Sequence, residues 1–357
     1  VFGSQGKGED VGNAEEVPST SVSLGKIDLV GGDTIMINSG QAITIRGDGE
    51  KLITSDSGDV KLLVGSKDNG AGTLNLGDAG LTSGGSLDGT LSIADESTVN
   101  VRAGMFSIST MEGTSSSAIT IGTAQNAGGL TVGKASLNGA NVFLDPAWKD
   151  GGNLVSDASI GVFESFANGA VDGRFAVGRN SLLVLGDKDS AWAQKAVQDA
   201  LDNADLTWGK DSVTAALAIK SSQKLSATGA LLVDGSLATA PSVTENTATF
   251  AGQSLLVVNA AAADGEGALQ GDGTSRLSVD GGAKLHIMDV KGSQEYTVTS
   301  GFVNDKIEGW QGDDLIVSRL FNAAVNTDGG KFVVKTEAKR PDEFSQYAIP
   351  NILAAIA

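Results

Sequence analysis

Arg46-Gly47-Asp48 is the first place in this chain where residue types could do recognition chemistry. It follows the strand-like run 42–45 and precedes Gly49, so it falls on a corner. A corner there holds out a guanidinium beside a carboxylate, the pair of groups that an integrin-like receptor reads. In a chain rich in glycine and aspartate the same three letters also spell an ordinary turn. Elsewhere the chemistry is thin. His286 is the one histidine and cysteine is absent, which excludes disulfides, thiolate catalysis, cysteine-held zinc and any multi-histidine metal site.

Complete catalytic sets are missing. A Ser/His/Asp relay has only His286 for its base. That residue lies between Leu285 and Ile287, so its side chain takes the opposite face of the strand from theirs. With those two in the core, His286 is expected outside, in solvent. Ser55-Asp56-Ser57-Gly58-Asp59 resembles a serine-protease nucleophile loop without supplying a base. Gly312-Asp313-Asp314 and Asn326-Thr327-Asp328-Gly329 resemble pieces of the polygalacturonase signature. They stand in the wrong order, and its Gly-His-Gly and Arg-Ile-Lys elements are missing. Carboxylate pairs alone discriminate poorly in a chain with 43 acidic residues. The acidic corners Asp187/Asp189, Asp202/Asp205 and Asp313/Asp314 offer oxygens to calcium. None fits an Asp-x-Asp-x-Asp-Gly loop or a Gly-Gly-x-Gly-x-Asp repeat. The expectation is no cofactor, no metal and no catalytic residue.

The elements that would position these groups are short strands. Thr90 to Ile108 shows the unit: Leu91-Ser92-Ile93, Val99-Asn100-Val101 and Phe106-Ser107-Ile108 each carry apolar residues two apart, on one face of a pleated strand. The links ADEST and RAG are too short for a helix and too polar for a core. Three one-sided strands joined by tight corners make one coil of a solenoid. Similar triplets run from Ile27-Asp28-Leu29 through Ile43-Thr44-Ile45 and Leu62-Leu63-Val64 to Leu277-Ser278-Val279, many of them roughly eight to twelve residues apart. Strands this short, with connections of variable length, predict a right-handed parallel β-helix, an all-β solenoid that expels extra length at its corners. At three strands per coil the repeat is roughly 20–30 residues. Glycine at 49 of 357 residues, against five prolines, suits many tight corners.

Two segments break the pattern. Residues 189–203 put Trp192, Ala196, Val197, Ala200 and Leu201 on one stripe, with Lys195, Gln198, Asp199 and Asp202 opposite. That periodicity predicts one short surface helix near 190–203, capped by Ser190 or Asp189. From Lys291 the chain turns aromatic, with Tyr296, Phe302, Trp310, Phe321, Phe332 and Phe344. A solenoid end exposes unpaired edges and an open core. Residues 291–340 are therefore expected to form a cap with Leu315-Ile316-Val317 and Phe332-Val333-Val334 as its strands. The expected organisation is a frayed lead-in over 1–20, coils over 21–290, the cap over 291–340 and a tail over 341–357. Net charge is −18, and no basic stripe exists to release counterions, which argues against nucleic acid and anionic lipid. The longest apolar runs are too short to cross a bilayer as a helix, so the chain as it stands is expected to be soluble.

The glycine-cornered strands, the zero cysteine count and the run EYTVTSGF…LIVSRLFNAAVNTDGGKFVVKTEAK together resemble the passenger of a bacterial autotransporter. The likeness is best over roughly residues 285–340, which are similar to the autochaperone region of that family; elsewhere it lies in the style of repeat. Some such passengers carry the tripeptide found here at Arg46, Gly47 and Asp48. The resemblance implies a secreted or surface-displayed, non-enzymatic stalk at the Gram-negative outer membrane, meeting the membrane only through a β-barrel outside this chain. Its implied partners are a host surface protein or glycan, or further copies of itself. The alternative is a polysaccharide-active β-helix enzyme, a lyase or hydrolase, using Asp313 and Asp314; a third reading is a tailspike-like trimer.

Overall fold

The computed structural model describes residues 21–29, 34–47, 49, 51–55, 60–78, 83–145, 158–186, 189–203, 215–340 and 343. The lead-in over 1–20 and nearly all of the tail lie outside the described residues.

Alternation of apolar and polar residues builds a parallel β-solenoid. Two parallel sheets of eleven strands each run along it. The first extends from Ser21–Leu24 to Val303–Ile307, the second from Thr34–Ile37 to Leu315–Ile316. Register stacks like on like: Ile43 lies beside Leu74, Leu74 beside Val99 and Val99 beside Ile119, all buried. Each core position thus meets apolar neighbours on the coils above and below, at ~4.8 Å. Outward positions of the same strands stack too. Asn75 donates to Thr44 Oγ1 at 3.4 Å, and Asn100 donates to Asn75 Oδ1 at 3.0 Å.

The unit at Thr90 to Ile108 differs from expectation in one respect. Gly84–Ile93, Gly104–Glu112 and Gly128–Ser136 are each one long strand, not two legs split by a corner. The bend is taken inside the strand. Pairing of Gly104–Glu112 with Gly84–Ile93 slips between Ile108 and Thr110, an irregularity that turns a strand without ending its ladder. Ser109-Thr110-Met111 holds no glycine or proline to announce it.

Helix α1, Ser190–Asn203, forms where the periodicity predicts it. Asp189 is its cap, with Oδ1 accepting from the Trp192 N–H at 3.0 Å. The helix joins Ser181–Leu185 to Ala215–Ile219, which are parallel neighbours in the second sheet. Parallel neighbours need a crossover connection, and a helix is the usual one. This crossover covers the outer face of the sheet and gives the solenoid a second apolar core outside its wall. There Ala193, Ala196, Val197 and Ala200 pack with Val184, Ala218 and Val257. Strands under α1 are buried on both faces, which is why they read as continuous apolar runs. Thr98 pairs with Ala118 and Ala118 with Asn141, within the expected repeat, whereas Arg174 pairs with Ala230, with α1 falling between them in the chain.

At the carboxyl end a five-stranded mixed sheet forms in the order 223–224, 269–270, 295–300, 331–338, 321–328. Its first two pairings are parallel and its last two antiparallel. Aromatic rings fill the core beneath it. Trp310, fully buried, meets Phe250 edge-on at 4.8 Å and Phe332 at 5.3 Å. One expectation is corrected here. Leu315–Ile316 continues the second long sheet beside Leu285 and His286, so it is not a cap strand. The hairpin partner of Lys331–Ala338 is Phe321–Asp328, a mostly exposed strand in which only Phe321 and Val325 are half-buried, so its apolar signal is weak.

Candidate functional site

Arg46 and Gly47 end the strand Ala42–Ile45, and the fold holds them by their backbone. The Arg46 N–H donates to the Leu24 carbonyl and the Gly47 N–H to the Gly25 carbonyl, each at 2.9 Å. The Arg46 carbonyl accepts from the Gly84 N–H at 3.1 Å. Gly47 sits at φ +68°, and a Cβ there would lie 2.0 Å from the Gly84 carbonyl oxygen. Only glycine fits such a left-handed, closely approached position. The Arg46 side chain is half-buried. Asp48 lies outside the described residues, so the structure places two members of the tripeptide.

Beside this corner runs a groove of about 770 Å³, reached by Gly49 and lined by Lys26, Lys51, Thr54, Met105 and Ser107 among others. Ser86, Ser107 and Thr131 stand in register on three successive strands. They form a ladder of hydroxyls ~4.8 Å apart on the outer wall. Lys51 pairs with Asp88 at 3.0 Å and Lys26 with Asp28 at 3.7 Å. Met105 is 57% exposed and lies over Gly129, where any Cβ would collide with its sulfur. None of the described lining residues is an acid or a histidine. The groove offers hydroxyls, two ammonium groups and an apolar ledge, a set for hydrogen-bonded contact.

His286 overturns the expectation of a solvated side chain. Its parity is as read, because Leu285 and Ile287 are in the inner core and it points out of the wall. Yet it is 6% exposed, because α1 packs over that wall and reaches it with Ala196 and Asp199. Burial pushes its pKa down to about 4, against smaller opposing effects of the Asp199 carboxylate, the Ala196 carbonyl and Asp289. Its Nδ1 is buried without a hydrogen-bond partner. The parity rule fixed the face; only the long crossover decides that the face is covered.

The remaining candidates are dispersed. Asp313 and Asp314 sit on the short turn Gly312–Asp314, with Asp313 exposed and Asp314 tied to Lys284 Nζ at 3.1 Å. Asp189 caps α1 and pairs with Lys220 at 3.1 Å; Asp187, Asp205 and residues 56–59 lie outside the described residues. Among the described residues no group of three or more histidine or acidic side chains could hold a metal ion, and no helix is long and apolar enough to cross a membrane.

Two carboxyl groups, one buried and one half-buried, escaped the sequence reading. Asp172, 3% exposed, accepts the Leu137 N–H through both oxygens at 3.1 Å and the Asn138 N–H at 3.3 Å, tying successive corners together. Asp145 is pushed up to about 6 by burial. Both follow ordinary strand and turn letters, so nothing local marks them.

No family model, no curated protein and no solved structure matches this chain. The fold defines the class: a parallel β-solenoid with an external helix and a small mixed carboxyl-terminal sheet.

Proposed function

We propose that this chain is the stalk of an autotransporter passenger, secreted or displayed at a Gram-negative cell surface, serving adhesion, self-association or host contact without catalysis. The observation that supports it best is a pair of eleven-stranded parallel sheets adding length coil by coil. Such an architecture spends its residues on reach and on wall surface. The zero cysteine count suits a chain exported unfolded, whose stability rests on its ladders. Contacts come from the outer wall, at the corner of Arg46, Gly47 and Asp48 and along the adjoining hydroxyl groove.

The test joins the coding sequence beyond Ala357 to protease treatment of intact cells. A run of ~10-residue alternating membrane strands and a chain cleaved on intact cells are expected; a chain protected inside the cell sinks the reading. For the tripeptide, loss of adhesion to integrin-bearing cells in Asp48→Glu supports a receptor role, and unchanged adhesion removes it. Turnover of a pectin or another glycan that vanishes in the double variant Asp313→Asn, Asp314→Asn would replace the stalk with the polysaccharide-active enzyme.

A further inference from the structure

Among the described residues three sheet edges are open at the carboxyl end, and two of them carry protection. Strand Val303–Ile307 pairs Asp305 with Arg276 at 3.2 Å and Lys306 with Glu308 at 3.0 Å, and its register slips between Leu277 and Ser278. Leu315–Ile316 is only two residues long. Charges, bulges and shortness are the usual means of stopping one edge from pairing with another. Phe321–Asp328 has none of them. Its eight residues pair with Lys331–Ala338 without a slip, from Phe321 against Ala338 to Asp328 against Lys331. It holds one charge, no lysine and no proline, and apart from Phe321 and Val325, which are half-buried with Val325 packed against the core, its residues are exposed. Leu320 at its start is 59% exposed. Among the described residues no strand lies along its outer edge; Glu343 touches one end, accepting from the Asn322 amide at 3.1 Å.

We propose that Phe321–Asp328 is a self-pairing edge that joins two copies of this chain about a two-fold axis, continuing the cap sheet antiparallel from one copy into the next. The strand's own charge pattern selects that partner and that direction. Antiparallel pairing centred near Ala324 sets the two Asp328 carboxylates at opposite ends, whereas parallel pairing would stack them in register. Around the centre, small alanines and the amides and hydroxyls of Asn322, Asn326 and Thr327 face one another without a clash of charge. The cations Lys331 and Lys335 lie one strand further in, so across the axis they are three strand spacings apart, roughly 14 Å. That exceeds the ~8 Å Debye length at physiological salt. A contact of about eight residues per copy is weak in solution and strong where copies are crowded on one surface.

This names the site for the self-association arm of the proposed stalk and rests on that reading for its setting. Dimerisation in solution and display on cells are measured separately, so failure of one is distinguishable from failure of the other. The chain has no cysteine, so Ala324→Cys introduces a single thiol. Light scattering of the unchanged chain over a wide concentration range, at 0.15 M salt by order of magnitude, is expected to show reversible dimers. A short bis-maleimide should link Ala324→Cys as a dimer far better than Ser107→Cys on the solenoid wall. Ala324→Lys should weaken the dimer at least tenfold with an unchanged melting temperature, and mixing it with Ala324→Glu should restore a heterodimer. A monomer at every concentration, a dimer that survives Ala324→Lys, or equal linking of the two thiols would each overturn the proposal.

Discussion

At the Gly47 corner the fold and the proposed recognition both draw on Arg46 and Gly47, and single substitutions can separate them. Gly47→Ala forces a Cβ to within 2.0 Å of the Gly84 carbonyl at φ +68°, so backbone must move as well as strain. The expected loss is about 2–4 kcal/mol, read as a lower urea or thermal midpoint. Arg46→Ala removes a half-buried side chain whose backbone bonds stay intact, and should cost no more than about 0.5 kcal/mol. Adhesion lost in Gly47→Ala therefore says nothing about a receptor, whereas adhesion lost in a stable Arg46→Ala does. If Gly47→Ala melts like the unchanged chain, the corner is looser than its interlocked backbone bonds require.

Helix α1 is held largely by small side chains, Ala193, Ala196 and Ala200 with Val197, over a wall that includes His286. Its docking should follow that histidine's charge. The folded pKa of His286, about 4, lies below the ordinary 6.5. The unfolded chain takes the proton first, so stability is lost as pH falls from 6.5 towards 4, by at most about 3 kcal/mol. Asp145 has the opposite sign. Its folded pKa of about 6 exceeds the ordinary 3.8, so the folded chain takes the proton first and gains stability as pH falls through the same window. Carboxyl groups held low, such as Asp272 beside Thr274 and Ser275, act below that window. The unchanged chain is expected to show a shallow profile between pH 6 and 4. Asp145→Asn should expose a fall in stability on acidification, and His286→Leu a rise, each measured by urea midpoints followed by circular dichroism. Matching profiles in all three proteins would refute the assignment. The same residues show what was legible beforehand. Strands with one buried face, such as Val99 and Val101, and α1 with its helical period could be read locally. The cover over His286, the bend inside Gly104–Glu112 and the mostly exposed strand Phe321–Asp328 could not, because each is decided by a partner far away in the chain. Of the tripeptide, the letters were plain, but the backbone constraint on Gly47 comes from Gly84 on another coil.

Across the whole molecule each coil rests mainly on its neighbours, so stability approximates a sum of coil and interface contributions and the ends are where it can fail. The carboxyl end depends on Trp310, which links the ring of Phe250 in the coils to Phe332 in the hairpin. It does so at φ +59° and with Nε1 lacking a partner, two costs that the packing must exceed. Trp310→Ala removes the whole contact and should cost about 3–5 kcal/mol. Trp310→Phe keeps the ring contacts, drops the unpaired N–H and should cost about 1 kcal/mol. In a compact globule the larger loss would speed opening everywhere. In a solenoid it should free the hairpin and the last coil first. Amide hydrogen exchange in Trp310→Ala is therefore expected to rise over residues 277–338 while residues 98–144 keep their protection. A uniform rise from Val99 to Phe332 would mean that the coils share one cooperative core. The stalk reading, which needs length added coil by coil without strengthening or weakening distant ones, would then lose its physical basis.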